Sequence, residues 1–508
     1  MATNPRIIIP APLGIDITSD PAETPISEAQ SLVNFLADRA GVIRGQVQNV
    51  QVITPSAVPS GGAYYYGLNT LSGTGINGQA QNISQPNAAG DRLLLLIANS
   101  LYSYAYAGLP ASAVTQFQPA YPPVFQAGQL VSSSFIAGAR LRTCQYKGEM
   151  IICQDGNTFL SYRYVINSNT NSVTVPAGSV YQLGLPTPAG MTANLHTPTG
   201  PPPAKVGKPS YSITLVDEQG RESSPQIPFI TLDFVANPTK NALLSFGPGG
   251  YPSTISGVNF YATTDGGTVL HKLGFVFYPG GAFTFTFEDG ATDNIVTALA
   301  LGPNIGENDN PNPASICCIH RNRLLLNDLT NPNILQISND GSTVQFNSQG
   351  PNPIAPIVTD GLRLAVGTDQ GDVITGIASL GSLAVIAKRK SLYVLYGSSQ
   401  TDFQVLPIET ANGKGCVAPD TFVRVDDSVL FLSEDGVYSL QSTTPTKISK
   451  PIEAALKAYS LTPAGELSYY GAIAAYGQRE YTLCIGTDIW VFNLDSGQWR
   501  QNAFGLVA

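Results

Sequence analysis

Histidine is the commonest acid or base in enzyme active sites, and this chain of 508 residues has only three of them. His196, His271 and His320 stand far apart in the sequence, and none belongs to an HExxH motif. The sequence also lacks a GxSxG nucleophile elbow and a Walker-type phosphate loop. These features predict that the chain is not an enzyme and has no catalytic residues.

Cysteine is the second residue type with possible chemistry here, as a metal ligand or in a disulfide. In a strand, Cys318 and His320 would share one face while Cys317 points the opposite way, and no second pair of ligands stands out. We therefore expect no metal at that position. Cys144 and Cys153 would fall on adjacent strands of one hairpin and could just form a bridge. For six sparse cysteines, a reduced protein made in the cytosol is the simpler interpretation.

Three short segments resemble binding motifs, but each lacks a necessary part. Gly73, Gly75 and Gly78 have GxGxxG spacing, yet "QAQNISQPN" follows instead of the helix that would hold a pyrophosphate. The acidic segment 307–312, "ENDNPN", lacks the spacing and the terminal Glu of an EF-hand loop. The basic tripeptide "KRK" at 388–390 is interpreted as a solvated hairpin turn rather than a phosphate contact. We expect no cofactor.

Composition indicates a turn-rich β protein. Only 12% of residues are charged, whereas Gly (50) and Pro (38) are plentiful. The net charge of −9 argues against a broad grip on nucleic acid, which needs clustered Lys and Arg. The N-terminal "MATNPRIIIPAPLG" does not resemble a signal peptide, and the longest apolar run, Leu93–Ala98, is too short to span a bilayer. We expect no membrane insertion.

One pattern recurs along the chain: an apolar strand, a short polar turn and a second strand that is often aromatic. We compared the position of the first apolar residue of the second strand between successive copies of the pattern. These positions lie 45 to 58 residues apart, except for one interval of 175. Such spacing is close to the blade length of a β-propeller, roughly 40–50 residues. We therefore predict a mainly β fold, propeller-like, with about six irregular blades. The six units are Arg92–Tyr106, Glu149–Tyr164, Arg323–Ser338, Leu383–Gly397, Val429–Gln441 and Tyr481–Leu494.

The long interval contains a different kind of segment. A Pro-rich passage, Leu185–Lys205, is interpreted as an extended linker, and Leu301–Ser315 as the return to the propeller. Between them, alternating apolar and polar residues with Gly at the turns predict an inserted immunoglobulin-like or fibronectin-III-like β-sandwich at 205–300. The expected organisation is first blades in 1–200, this insert, and the remaining blades in 310–508.

Helix signals are scarce. Ser27–Gly41 has the best cap and spacing, although a loop and strand before the first blade would fit equally well. Lys450–Ser460 is a second, short candidate.

Several segments of the chain resemble those of one protein family and occur in the same order as in that family. They are "LYVLYG", "GCVAP" and "FLSEDGVY", all within Ile374–Gln441, and the following "KISKPIEAAL". They are similar to the tail hub or nozzle proteins of short-tailed bacteriophages, also described as tail tubular or packaged-DNA-stabilisation-like proteins. The inserted "YSITLVDEQGRESSP" and "VNFYATTDGG" resemble the fibronectin-III-like domain that some of these proteins carry.

This resemblance implies a virion structural protein, made in the host cytoplasm and located in the tail. It implies self-assembly into a ring, commonly a hexamer, stacked under the portal and adaptor rings and contacting tail fibre or needle proteins. Double-stranded DNA would pass through the ring without sequence recognition. An acidic, weakly charged protein fits that role because it repels phosphates rather than binding them.

Two other functions remain open at this point. A propeller of a virion or cell surface would recognise glycans or a receptor through clustered aromatics, such as Tyr64–Tyr66 or the row Tyr102, Tyr104 and Tyr106. For that row, core packing or ring contact is the simpler interpretation. A propeller hydrolase would instead use paired carboxylates brought together across the central channel.

Overall fold

A computed structural model describes the chain continuously over most of residues 179–502 and, before residue 179, only in separate strands. The described ranges after residue 178 are 179–198, 205–217, 220–247, 255–278, 284–347, 360–367, 371–411, 413–460, 471–477, 479–486 and 488–502. The protein is mainly β and is built from successive antiparallel sheets.

The first half of the propeller contains three sheets, which we call sheets A, B and C, after a short antiparallel pair of strands, β1 (Phe35–Ala37) and β2 (Ile43–Gly45). Sheet A comprises β3 (Tyr65–Leu71), β4 (Arg92–Ile97), β5 (Ser100–Gly108), β6 (Val124–Phe125) and β7 (Gln129–Ser132). Sheet B comprises β8 (Leu141–Tyr146), β9 (Glu149–Gln154), β10 (Tyr162–Val165) and β11 (Ser179–Gln182). Sheet C follows the insert and comprises β19 (Cys317–His320), β20 (Arg323–Asn327), β21 (Ile334–Ile337) and β22 (Leu362–Ala365).

The second half contains sheets D, E and F, each with four strands in sequence order. Sheet D comprises β23 (Ile374–Leu380), β24 (Leu383–Lys388), β25 (Leu392–Tyr396) and β26 (Gln404–Pro407). Sheet E comprises β27 (Val423–Val425), β28 (Ser428–Ser433), β29 (Gly436–Gln441) and β30 (Thr444–Lys447). Sheet F comprises β31 (Ile473–Gly477), β32 (Glu480–Ile485), β33 (Asp488–Asn493) and β34 (Gln498–Asn502).

All six predicted hairpins are confirmed as strand pairs, and each pair lies in the middle of one sheet. They are β4–β5, β9–β10, β20–β21, β24–β25, β28–β29 and β32–β33. The turn of the β28–β29 pair needs a glycine because Gly436 has φ +142° and a side chain there would collide with Ser449. Asp435–Gly436 therefore acts as a turn, as its sequence predicts.

The sheets stack face to face, so their central strands are covered on both sides. In sheet E, Val429 and Phe431 pack into a core shared with sheet D, whereas Leu430 and Leu432 pack into a core shared with sheet F. A third core joins sheets C and D. Each buried aliphatic or aromatic side chain contributes about 1.5–3 kcal/mol by leaving water.

The first strand of each sheet contacts the first strand of the next. The contacts run from β3 to β8, then to β19, β23, β27 and β31. Successive four-stranded sheets with adjacent first strands are the arrangement of a β-propeller, in which the first strands lie around the central axis.

The insert is a sandwich of two antiparallel sheets. Its strands are β12 (Thr192–His196), β13 (Ser210–Asp217), β14 (Ile230–Thr231), β15 (Asn241–Phe246), β16 (Ile255–Ala262), β17 (His271–Phe277) and β18 (Phe285–Asp289). One sheet has the order β12–β15–β18 and the other β14–β13–β16–β17. A short helix, α1 (Asp293–Val296), follows the last strand.

The sandwich core is continuous with the propeller. One cluster of buried residues contains Ile151 of sheet B, Phe260 and Phe285 of the sandwich, and Leu324 of sheet C. The insert therefore packs directly on sheets B and C.

Three local predictions have different outcomes. Within Ser27–Gly41 the structure describes only the strand Phe35–Ala37, so the helix prediction is wrong there and the strand alternative is right. The helix expected in Lys450–Ser460 is confirmed as α2 (Glu453–Ser460), preceded by a single 3₁₀ turn. Within the Pro-rich passage interpreted as a linker, residues 192–196 instead form β12, because they pair with β15. Among the described helices, none is long and apolar enough to cross a bilayer.

Candidate functional site

An ion pair joins two propeller sheets that are not neighbours. The Arg142 guanidinium, on the first strand of sheet B, donates from Nε to Asp420 Oδ1 at 2.6 Å, across 278 residues of sequence. Asp420 lies in the 3₁₀ turn just before β27, the first strand of sheet E. The same guanidinium donates to the Ser315 carbonyl oxygen at 3.1 Å. Because the first strands surround the propeller axis, these side chains meet across that axis.

The ion pair has a consequence for the shape of the propeller. Arg142 and Asp420 are mostly buried, so water screens their attraction less than it would at the surface. At the level of this pair, side chains cross the centre of the propeller.

His320 lies at the end of the first strand of sheet C, beside sheet D. Its Nδ1 lies 2.8 Å from Ser379 Oγ, and its Nε2 is buried without a hydrogen-bond partner. Burial and, secondarily, the positive charge of Arg321 lower the pKa of His320 to about 4. The imidazole is therefore neutral at physiological pH, and a group that releases its proton so readily is a poor general base at pH 7.

Three thiols from two sheets lie together beside the insert. Cys144 and Cys153 belong to sheet B, and Cys317 of sheet C interacts with both. The pKa values of Cys144 and Cys317 are raised, so these thiols are weak nucleophiles at neutral pH. All six cysteines lie in the described part of the chain, and none is in a disulfide.

The structure describes the positions of the predicted Cys317–Cys318–His320 cluster and of the acidic loop 307–312. Among the described residues no three His, Cys, Asp or Glu side chains are placed to hold a metal ion. Glu307 instead accepts hydrogen bonds from the backbone and side chain of Asn304, and Asn312 donates to Asp328 at 2.8 Å. These polar groups organise the loop itself.

The prediction of a solvated turn at 388–390 is wrong for its first residue. Lys388 is fully buried at the end of β24, and its ammonium lies 5.7 Å from the centre of the Tyr393 ring. The backbone nitrogen of Lys390 donates to Asp372 at 3.2 Å. A lysine can be buried in this way because its hydrocarbon stem is apolar and its ammonium is attracted to the face of an aromatic ring. The sequence pattern does not indicate this contact.

The other candidate residues are dispersed. His196 and His271 lie in the sandwich, where His271 Nδ1 is 3.3 Å from the Leu299 carbonyl oxygen. The glycines at 73, 75 and 78 lie outside the described residues, as does Tyr64. The remaining tyrosines of the two predicted aromatic clusters lie at or in strands β3 and β5, and their side chains are outside the described part.

The exposed apolar residues are concentrated on the insert. Ten of the fourteen large apolar side chains that are exposed in the described residues lie between residues 192 and 305. Phe275 and Phe277 are 46% and 64% exposed. The ten are Leu195, Val206, Ile227, Val235, Val269, Phe275, Phe277, Ile295, Leu301 and Ile305.

Phe275 and Phe277 stand on β17, which is an edge strand of its sheet. Its first residues are covered by the chain near residue 301, because Lys272 donates its N–H to the Ala300 carbonyl at 2.8 Å. Further along, β17 pairs only with β16 among the described strands. An edge strand with exposed aromatic residues is a surface on which another chain can pair.

A cleft of about 280 Å³ opens at the outer side of sheet D. Tyr396 and Leu406 supply its apolar walls, and Glu409, Thr410 and Thr443 supply its polar groups. The Thr410 hydroxyl donates to the Thr443 carbonyl oxygen at 2.5 Å, which joins sheet D to sheet E at the edge of the cleft.

A buried lysine and aspartate form the polar centre of the insert, and sequence analysis did not identify them. Lys205 and Asp289 are 1% and 2% exposed, and their side chains form an ion pair. Lys205 follows three prolines in a passage interpreted as a linker, and Asp289 precedes a glycine in an apparent turn. No local pattern marks either residue, because their contact depends on chain folding over 84 residues.

Comparison with known proteins gives similarities to solved structures alone. No protein-family model matches the chain, and no curated protein does. The chain is similar to Kluyveromyces lactis Hsv2, with 9% identity and a TM-score of 0.27 over 82% of this chain and 94% of that one. It is also similar to apo AztD from Citrobacter koseri, with 8% identity and a TM-score of 0.21 over 82% and 85% of the two chains. The propeller fold assigned to the chain rests on its own sheet order and stacking.

Proposed function

We propose that the chain is a virion structural protein and not an enzyme, a tail hub or nozzle subunit that assembles with copies of itself into a ring. The ring, with six subunits as the expected number, would enclose the exit channel for DNA and retain or conduct the genome. Portal or adaptor proteins and tail fibres or needles would be its other partners.

The observation that carries this proposal is the concentration of exposed apolar residues on the insert. Exposed apolar side chains that lie next to one another mark interaction surfaces, and residues two apart on a strand share one face. Phe275 and Phe277 lie on the uncovered part of an edge strand, where both side-chain packing and backbone pairing are available to a second subunit. The resemblance of Ile374–Leu456 to tail hubs supplies the virion context.

Charge and the axis of the propeller support the same proposal. With a net charge of −9 and no large basic cluster, the surface repels DNA phosphates and would let a genome slide past. The Arg142–Asp420 pair crosses the propeller axis, so the proposed DNA channel lies between the subunits of a ring and not within one propeller.

The assembly is tested by replacing Phe277 with aspartate. Mass photometry and negative-stain imaging of the wild-type chain should show rings of six subunits, whereas Phe277→Asp should give monomers because it places a charge in the apolar contact. Leu406→Asp is the matched control, since Leu406 is also exposed on an edge strand but belongs to sheet D. It should leave the rings intact. Wild-type monomers that form no ring even beside neighbouring tail proteins would contradict the proposal.

A second candidate is a propeller that recognises a glycan or a receptor, and the cleft on sheet D favours it. An exposed tyrosine ring beside a carboxylate and two threonines suits a sugar, whose apolar face stacks on a ring while its hydroxyls meet polar groups. In a glycan array, a monomeric wild-type chain would then bind selected sugars, and Tyr396→Ala would lose at least tenfold in affinity, about 1.4 kcal/mol. No binding by wild-type chain at high concentration would exclude this candidate.

A further inference from the structure

The buried lysine of the insert is placed against a carboxylate in an apolar environment. Lys205 stands before β13, and its Nζ contacts Oδ2 of Asp289, the last residue of β18. The ring centres of Tyr211 and Phe234 lie 5.3 and 5.6 Å from the same nitrogen. Both charged groups are removed from water, so their polar contacts are limited to those that the protein itself supplies.

The Asp289 carboxyl is held by hydrogen-bond donors on both oxygens. The backbone N–H of Ala291 donates to Oδ1 at 2.8 Å, and the Tyr211 hydroxyl donates to Oδ2 at 3.0 Å. Burial raises the pKa of Tyr211 well above its ordinary value, so its hydroxyl keeps the proton that it donates. The carboxyl therefore has one oxygen stabilised by a backbone amide and the other in contact with two proton donors.

We propose that Lys205 and Asp289 condense within the folded chain to form an isopeptide bond between Lys205 Nζ and Asp289 Cγ. The insert would then carry a covalent link between its last strand, β18, and the segment that lies between β12 and β13. This inference is independent of the proposed ring.

The reaction balances without any other reactant. Transfer of one proton from the ammonium to Oδ2 gives a neutral amine and a neutral acid. The nitrogen lone pair then forms the bond to Cγ, and negative charge develops on Oδ1, where the Ala291 N–H stabilises it. Cleavage of the Cγ–Oδ2 bond, with transfer of a second proton from nitrogen to Oδ2, releases one water molecule and leaves a neutral amide.

Tyr211 is assigned a catalytic role because its hydroxyl contacts the oxygen that leaves. It can relay the second proton, since a hydroxyl both donates and accepts hydrogen bonds. The apolar rings around the site exclude the water that would reverse the reaction by hydrolysis.

Intact-mass spectrometry of the denatured full-length chain tests the bond. The wild-type mass should fall short of its sequence mass by one water molecule, whereas Lys205→Arg should show its full sequence mass because arginine does not condense. Protease digestion of the wild type should yield one branched peptide containing Lys205 and Asp289. A folded wild-type chain with its full mass and with both residues in separate peptides would overturn the proposal, whether or not the variant folds.

The insert contains its own control. Lys208 and Asp233 also form an ion pair, with Nζ 2.9 Å from Oδ2, but their side chains are 58% and 47% exposed. They should remain in separate peptides, because both side chains are open to water, which opposes a condensation that releases water. A link at Lys208 as frequent as at Lys205 would contradict the requirement for burial.

Tyr211→Phe distinguishes a proton relay from simple packing. Phenylalanine keeps the ring beside Lys205 but lacks the hydroxyl, so the linked fraction should grow about a hundredfold more slowly in timed samples from cell-free synthesis. If the linked fraction of Tyr211→Phe grows as fast as that of the wild type, the hydroxyl takes no part in the reaction and Tyr211 contributes only packing.

Discussion

Replacement of Trp499 by alanine should destabilise the second half of the propeller by about 3–5 kcal/mol. Trp499 is among the largest fully buried side chains in the described residues, and it lies in the core shared by sheets E and F. Its indole Nε1–H donates to the Ile448 carbonyl oxygen at 2.8 Å, and its ring lies 5.2 Å from that of Phe492. The substitution therefore creates a cavity and leaves the Ile448 carbonyl, which is partly buried, without this donor.

The chain has only two tryptophans, Trp490 and Trp499, and both belong to sheet F. Urea unfolding followed by circular dichroism gives the free energies, and fluorescence of the remaining tryptophan reports on sheet F. Trp490→Phe is the matched control because the Trp490 indole nitrogen is buried without a hydrogen-bond partner. It should cost less than Trp499→Phe, which loses a hydrogen bond of about 1 kcal/mol. Equal costs for the two phenylalanine variants would show that the Ile448 contact contributes nothing.

Buried His320 should make the stability of the fold depend on pH between about 4 and 6.5. In the unfolded chain the imidazole gains a proton below its ordinary pKa, whereas in the folded chain it stays neutral down to about pH 4. The unfolded state thus binds more protons in this interval. The contribution is fully present above pH 6.5 and is lost as the pH falls to about 4, by a total on the order of 3 kcal/mol.

Asp360 acts in the opposite direction in part of the same interval, so the wild-type curve alone is not diagnostic. Burial raises the pKa of Asp360 to about 6. A carboxyl with a raised pKa contributes stability that is present below its ordinary pKa and lost as the pH rises to about 6. The two groups therefore offset one another between pH 4 and 6.

The measurement is the difference between two stability curves. Urea unfolding of wild type and His320→Gln at intervals from pH 4 to 8 should give a constant difference above pH 7. Below pH 6.5 the variant should lose less stability than the wild type, because glutamine does not take up a proton. Parallel curves over the whole range would mean that His320 titrates alike in both states.

The propeller sheets were predictable because their central hairpins are local. Val429–Gln441 is apolar on both faces, and its turn contains Asp435–Gly436, so strand, turn and double burial all follow from adjacent residues. The outer strands were harder to predict. For example, Thr444–Lys447 and Gln404–Pro407 are short and partly exposed, and their sequences lack a strong alternation.

The candidate contacts could not be predicted, because they join residues that are far apart in the chain. Nothing near Arg142 indicates Asp420, and nothing near Lys205 indicates Asp289. Lys388 could not be predicted to be buried for a similar reason. A basic tripeptide between apolar runs predicts exposure, and only the structure shows that the Tyr393 ring lies beside the ammonium. Such pairs depend on how sheets stack, which hydrophobic periodicity does not specify.

The core that joins the sandwich to sheets B and C constrains how this protein can change over generations. Met191 and Phe246 of the insert pack in the same cluster as Ile151 on one side and Leu326 on the other. A different sandwich inserted at the same positions would have to pack against the apolar residues of sheets B and C, which are complementary to the present insert. Replacement of the whole sandwich would therefore require matching changes in sheets B and C, because a close-packed core tolerates little change of volume or shape.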